Sequence, residues 1–194
     1  IVLCVFSNMA LSNEDVVSLG ERLFRDHRFS QYFYFNSQGD VNFDLKYGDP
    51  TQSVLEVNGR LRNSPFSGKA TSCANCHMLD QAFDDEFDYG IRGYNDFATR
   101  SFVPLRSDKN SQTLRNTPSL VGIGSPFAQN RFSHMDGEFF DHSQTVLGNF
   151  AGRNMGWLPH EKNLALKNIV SIIRFDNGQS ELGVEFGGSY KKQF

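Results

Sequence analysis

From residue 13 the chain reads NEDVVSLGERLFRD, in which Val16, Leu19, Leu23 and Phe24 recur three and four residues apart. That period puts them on one face of a helix, with Ser12 as its cap and Asp15 three residues on. The strongest helical pattern is PHEKNLALKNIVSIIRFD (159–176), with Leu164, Ile169, Ile172 and Ile173 inward and Asp-Asn-Gly as the closing turn. GEFFDHSQTVLGN (137–149) predicts another helix, with Phe139, Phe140, Ser143, Val146 and Leu147 on one side. Shorter helices are expected around 72–80 and at Thr117-Pro118-Ser119-Leu120, where Pro118 suits a first turn. Residues 30–68 are rich in aromatics, Gly, Asn and Pro with no sustained period, an irregular excursion with room for a short hairpin. Residues 84–116 are loop-like. The pattern is mainly α with long loops, free of repeats and low-complexity tracts.

A chain of 194 residues fits one domain with a real core. A net charge of -3 without a long basic run argues against nucleic acid. No apolar run reaches the roughly 18 residues of a membrane span. Oligomeric state leaves no mark on the sequence. Nineteen phenylalanines suit an ordinary core and would also suit a large, flat, apolar ligand. The opening IVLCVFSNMALS (1–12) runs from apolar to small residues and is like the back half of a secretory signal, with Ala10 and Ser12 at cleavage-site spacing. A buried first element is the alternative, and Leu3 before Cys4 argues against a lipoprotein anchor. An exported, periplasmic location follows from the signal reading. The closing GGSYKKQF has no clear stop, as in a fragment.

Cysteines occur at 4, 73 and 76, an odd number, which excludes a disulfide scaffold. In TSCANCH, Cys73 and Cys76 are followed directly by His77. Structural zinc needs four ligands, usually two such pairs, and there is no second pair. A thioredoxin-like redox pair would follow a strand in a β-α-β pattern, which is not seen. Covalent haem attachment uses all three residues: each thiol forms a thioether with a haem vinyl group, and the histidine reaches the iron. Haem c assembly outside the cytoplasm agrees with the apparent signal remnant. Asp84, Asp85, Glu86 and Asp88 lack the alternation of a calcium loop, so a solvated acidic loop is expected in place of a calcium site.

Six segments in order resemble the bacterial di-haem cytochrome c peroxidase family, which also contains the methylamine dehydrogenase maturation enzymes. They are LGERLFRDHRFS, TSCANCH, QAFDD, LRNTPSL, MDGEF and LGNFAGRNMGW, spanning about 12–157. The resemblance implies a cytochrome c-like haem domain over 13–194, whose haem reacts with hydrogen peroxide. It also implies a small cytochrome or cupredoxin as electron donor and a second haem domain, for which this chain has no motif. Arg115 would then lie near a haem propionate, with Asn116 anchoring its loop; a purely structural loop is the alternative. Asp136 and Gly137 fit a turn.

The chain departs from the family pattern at the positions that matter for mechanism. Met135 replaces the tryptophan between the haems, and Asn154 falls where the family has its active-site glutamate. An amide cannot act as that general base. The distal glutamine falls near Gln144 and Thr145, and 84–116 has no histidine to act as a switchable ligand. The iron is then open, or capped by His134, Met135, His142 or Met155, each of which also fits packing or solvent exposure. His27 and His160 carry little weight as ligands. The expected function is peroxide reduction. The alternatives are non-enzymatic electron transfer or haem sensing, and a degenerate domain that keeps haem for structure alone.

Overall fold

The computed structural model describes residues 13–44, 54–57, 60–63, 71–77, 120 and 137–194. The described part is mainly helical, as the periodicity predicts. In chain order, α1 is Asn13–Arg25, α2 Gln31–Asn36, β1 Val54–Val57, β2 Arg60–Asn63, α3 Cys73–Cys76, α4 His142–Phe150, α5 Lys162–Phe175, α6 Glu181–Glu185 and α7 Tyr190–Gln193. The strands pair antiparallel with Val54 opposite Asn63 and Val57 opposite Arg60, within the stretch where a hairpin was expected. No helix among the described residues is long and apolar enough to cross a membrane. The signal-like residues 1–12, with Ser12, lie outside the described residues.

Helix α1 carries Glu14 and Asp15 in its first turn and Arg22 and Arg25 in its last, which matches the helix dipole at both ends. Its inner stripe is not the expected one. Leu19, Arg22 and Asp26 are buried, while Val16 is exposed and Phe24 half-buried. Arg22 and Asp26 sit three and seven residues after Leu19, so two charges occupy places that an apolar stripe would fill.

The next residues form a tight corner. Asp26 caps a single 3-10 turn at His27–Phe29 by accepting from the Arg28 amide at 2.9 Å. Ser30 caps α2 by accepting from the Phe33 amide, and its hydroxyl donates to the His27 carbonyl at 2.7 Å. The six-residue α2 was not expected, because its sequence QYFYFN has no helical period and its start depends on that cap. Helix α4 begins at His142, later than expected, because Asp141 caps it. Phe140, Ser143, Val146 and Leu147 face outward, and Phe139 turns in against Gly148. In α5, Ala165, Asn168 and Ile172 point deepest, with Leu164, Ile169 and Ile173 beside them.

Phe29, Met155, Trp157, Ala165, Ile172 and Tyr190 make the centre of the core. The Trp157 indole N–H donates to the Phe29 carbonyl at 3.0 Å, and Phe150 meets Phe29 edge-on at 5.1 Å between ring centres. Glu161 accepts from Gln31 and from the Leu158 amide, tying α2 to the start of α5.

Beside the core lies a buried charge network. Arg22 donates to Asp176 at 2.6 Å, and Arg28 to Asp176 at 2.9 Å and to Asp26 at 2.6 Å. The Tyr190 hydroxyl donates to Asp26 at 3.0 Å and its amide to Asp176 at 2.9 Å. The Arg22 guanidinium also lies 3.9 Å from the Tyr190 ring centre and donates to the Gly188 carbonyl and the Gln193 side chain. Two arginines thus face two carboxylates. At the turn after α5, Gly178 has φ +76°, and a Cβ there would lie 2.4 Å from the Gly188 backbone, so only glycine fits the crossing.

Burial alone would raise the Asp176 carboxyl; bonds from Arg28 and the Tyr190 amide and the charge of Arg22 outweigh it and hold it below the ordinary carboxylate value. Removing one partner of a buried ion pair leaves an uncompensated charge. Asp176→Ala should therefore cost about 3–5 kcal/mol in urea unfolding. Arg25→Ala, which breaks the surface pairs with Glu21 and Glu185 and the 5.5 Å approach to the Phe186 ring, should cost only about 1 kcal/mol. Equal losses would refute the ranking.

The pH dependence follows from the depressed folded value of Asp176. Its stabilisation is complete above the ordinary carboxylate range near pH 4 and is lost as pH falls through the lower folded value. The urea midpoint should fall below about pH 4 and fall less steeply in Asp176→Asn, as a pH series of unfolding curves would show.

Candidate functional site around Cys73 and His77

Helix α3 is one turn, Cys73-Ala74-Asn75-Cys76, entered through buried Thr71 and Ser72. The His77 amide donates to the Cys73 carbonyl at 2.9 Å, so the histidine continues the turn. Both cysteines and the histidine thus fall within five consecutive residues held by one helical bond. The turn packs on α1, where the Phe24 ring lies 6.3 Å from the His77 ring, centre to centre, tilted by 46°.

Cys73 packs against the apolar cluster that contains Leu19, Met155 and Trp157. Burial pushes its thiol up to about 11. In the metal-free chain it is therefore mostly a protonated thiol at neutral pH, slow in disulfide exchange. The only described strands are the antiparallel pair β1–β2, not a β-α-β unit. A thiol at the edge of an aromatic core, one turn before a histidine flanked by phenylalanine, fits a flat apolar macrocycle held through sulfur. Cys73, Cys76 and His77 are the residues that would hold a haem.

Four distal candidates have structural work of their own. Gln144 donates its amide to the Asp141 carboxylate at 2.7 Å, and its side chain accepts from the Phe140 amide, which makes a capping arrangement on the exposed start of α4. The Thr145 hydroxyl donates to the Asp141 carbonyl at 2.9 Å. The Asn154 side-chain NH2 donates to the Asn149 side-chain oxygen across the turn that ends α4. Met155 is 3 % exposed, in the same cluster that Cys73 touches. His142 is the first residue of α4 and half-buried; His160 is exposed beside Pro159. His27 is half-buried near Phe33, and burial lowers its imidazole value. His134, Met135, Arg115, Asn116 and the 84–88 carboxylates lie outside the described residues. Among the described residues no group of three or more His, Cys, Asp or Glu side chains is placed to hold a metal ion.

The pairing of Phe24 with His77 was not foreseen. Its only sequence signal was that Phe24 sits at the edge of the α1 apolar stripe, where a second element can reach it. No protein-family model, curated protein or solved structure matches this chain.

The raised thiol gives a direct test. In the haem-free Cys4→Ser/Cys76→Ser variant, Cys73 should react with a thiol-selective reagent at pH 8 roughly a hundredfold more slowly than a free cysteine. The rate should climb until the pH reaches about 11. An ordinary rate at pH 8 would place the thiol outside the apolar cluster.

Proposed function

We propose that the chain is a haem c protein of the di-haem peroxidase type, with Cys73 and Cys76 as thioether anchors and His77 as the proximal iron ligand. The carrying observation is the single turn in which the His77 amide is bonded to the Cys73 carbonyl while Cys73 leans on the aromatic core. Bound there, the haem would supply one-electron and peroxide chemistry. The chain's part is to hold it: the core packed against Cys73 excludes water, and Phe24 restricts the His77 ring. In this reading hydrogen peroxide is reduced to water with electrons from a small cytochrome or cupredoxin, in an exported protein.

A second reading, non-enzymatic electron transfer, is favoured by one observation. Gln144, Thr145 and Asn154, the candidates for distal proton chemistry, are engaged in hydrogen bonds that shape the ends of α4. None is a carboxylate that could move a proton between peroxide oxygens.

Expressed with haem c assembly, the chain should retain haem through denaturing electrophoresis. Cys73→Ala/Cys76→Ala should lose it, and His77→Ala should keep it with an altered spectrum. Haem that is extracted from the unmutated chain by acidified solvent would reject the assignment. A high-spin ferric spectrum that shifts with one equivalent of peroxide supports the peroxidase reading; a low-spin spectrum indifferent to peroxide supports electron transfer.

A further inference from the structure

The turn that follows α5 reads Asp176-Asn177-Gly178-Gln179. An asparagine before a glycine is readily modified, because glycine has no side chain to keep its amide nitrogen away from the asparagine carboxamide carbon. The Gly178 nitrogen attacks Asn177 Cγ, the bond from Cγ to Nδ2 breaks, and ammonia leaves with the amide proton. The cyclic imide that remains takes up water at either carbonyl. It opens to aspartate or, more often, to isoaspartate, whose main chain runs through the side-chain carbon and is longer by a CH2. The reaction consumes water, releases ammonia and involves no change of oxidation state.

Asn177 is exposed, so water reaches it, while Gly178 is buried. The nitrogen and the oxygen that must move are both held. The Gly178 N–H donates to Asp176 Oδ1 at 3.4 Å, and Asn177 Oδ1 accepts from the Gln179 amide at 2.9 Å. The Asn177 amide donates to the Asn42 side chain at 2.8 Å, which in turn donates to the Phe175 carbonyl at 3.0 Å. The Gly178 backbone is wedged as well: its own Cβ would lie 2.4 Å from Gly188 and Ser189 backbone atoms, and a Cβ on Gly183 would lie 2.5 Å from Gly178. Asp176 is fixed by Arg22, by Arg28 and by the Tyr190 amide. For the Gly178 nitrogen to swing onto Cγ, the turn must leave its crossing with Gly188.

We propose that Asn177-Gly178 is a one-way modification site governed by the buried charge network, shielded while the network is closed and converted to isoaspartate when the turn opens. The added CH2 pushes Gly178 into a space where even a Cβ does not fit, so the modified turn does not return to the crossing. Asp176, one residue before the lengthened link, then no longer meets Arg22 and Arg28 together. A reversible opening becomes a permanent mark on chains whose two ends have lost their register. The site does not depend on the haem assignment.

The full chain is incubated at mildly alkaline pH with and without denaturant. Peptide mass spectrometry follows the loss of Asn177, and an isoaspartate-directed methyltransferase counts the product. In denaturant, Asn177 should react at a rate similar to Asn58, which also precedes a glycine, since only local sequence acts there. In native buffer Asn177 should react at least about tenfold more slowly than in denaturant, because the rate tracks the population of the open turn. Arg22→Gln, which loosens the network without altering residues 176–179, should raise the native rate about tenfold. If that variant does not fold, Asn42→Ala, which frees the Asn177 amide, should raise it about threefold. Chains carrying isoaspartate at 177 should unfold at a lower urea concentration than fresh chains, and Asn177→Gln should keep its midpoint on ageing. A native rate equal to that in denaturant would refute the shielding. A native rate that the folded variants leave unchanged would refute control by the network, and an isoaspartate chain with an unshifted midpoint would refute the one-way step.

Discussion

Two arginines and two aspartates with almost no access to water are the constraint on which the rest of the structure depends. Taking such groups out of water costs several kcal/mol per ion, repaid only when geometry and extra hydrogen bonds satisfy every charge. Here most of the donors find acceptors: Arg22 reaches Asp176, Gly188 and Gln193, and Arg28 reaches Asp26, Asp176 and Val41. The groups come from α1, the corner after it, the turn after α5 and α7. Residues more than 140 apart in sequence must therefore meet for any of these charges to be satisfied. Burying ions for stability alone is a poor exchange, since an apolar substitute often does as well. What the network adds is a fixed register between the two ends of the described chain.

That register sets up the candidate site indirectly. The buried face of α1 is locked by Arg22 and Asp26, which fixes the rotation of the helix about its axis. With the rotation fixed, Phe24 points toward α3 and Val17 toward solvent, since they lie roughly 160° and 140° around the helix from Arg22. The contact between Phe24 and His77 is thus a consequence of charges on another face of the same helix. Tyr190 carries the same logic into the core: its ring packs with Ile172 and Met155 while its hydroxyl and amide serve the two carboxylates.

The sequence announced the long helices because their apolar residues repeat at the helical period, and α5 has the residues Leu164, Ile169, Ile172 and Ile173 where that period puts them. It also announced the Cys-x-x-Cys-His turn, because that chemistry is local. It did not announce the inner face of α1. A reading by hydrophobicity moves arginine and aspartate outward, and nothing near Arg22 in sequence reveals Asp176 as its partner. The end of the segment LFRDHRFS, past the helical pattern of α1, was legible only as a resemblance to a motif. Its physical content is a cap from Asp26, a buried guanidinium at Arg28 and a second cap from Ser30. Short helices such as α2, α6 and α7 were missed for a related reason: each is a turn or two that starts on a serine and is too brief to show a period.

The same distinction separates the firm from the variable parts of the proposed chemistry. Cys73 and His77 are joined by one backbone bond, so their relative placement survives almost any change elsewhere in the chain. The distal side has no such economy. Gln144, Thr145, Asn154 and Met155 are held by the Asp141 cap, by Asn149 and by the core, and each serves the local fold of α4 and the turn that follows. A glutamate at position 154 would set a proton-exchanging carboxyl against the Asn149 Oδ1, whereas the asparagine present satisfies that oxygen by donating to it, the Asn149 NH2 being held by the Thr145 carbonyl. The turn before Gly156 keeps its shape with either residue, because its left-handed geometry is carried by the glycine at φ +84°. Anchoring and proton transfer are therefore separable in this fold, and a chain can keep the first while its distal side chains take up purely structural roles.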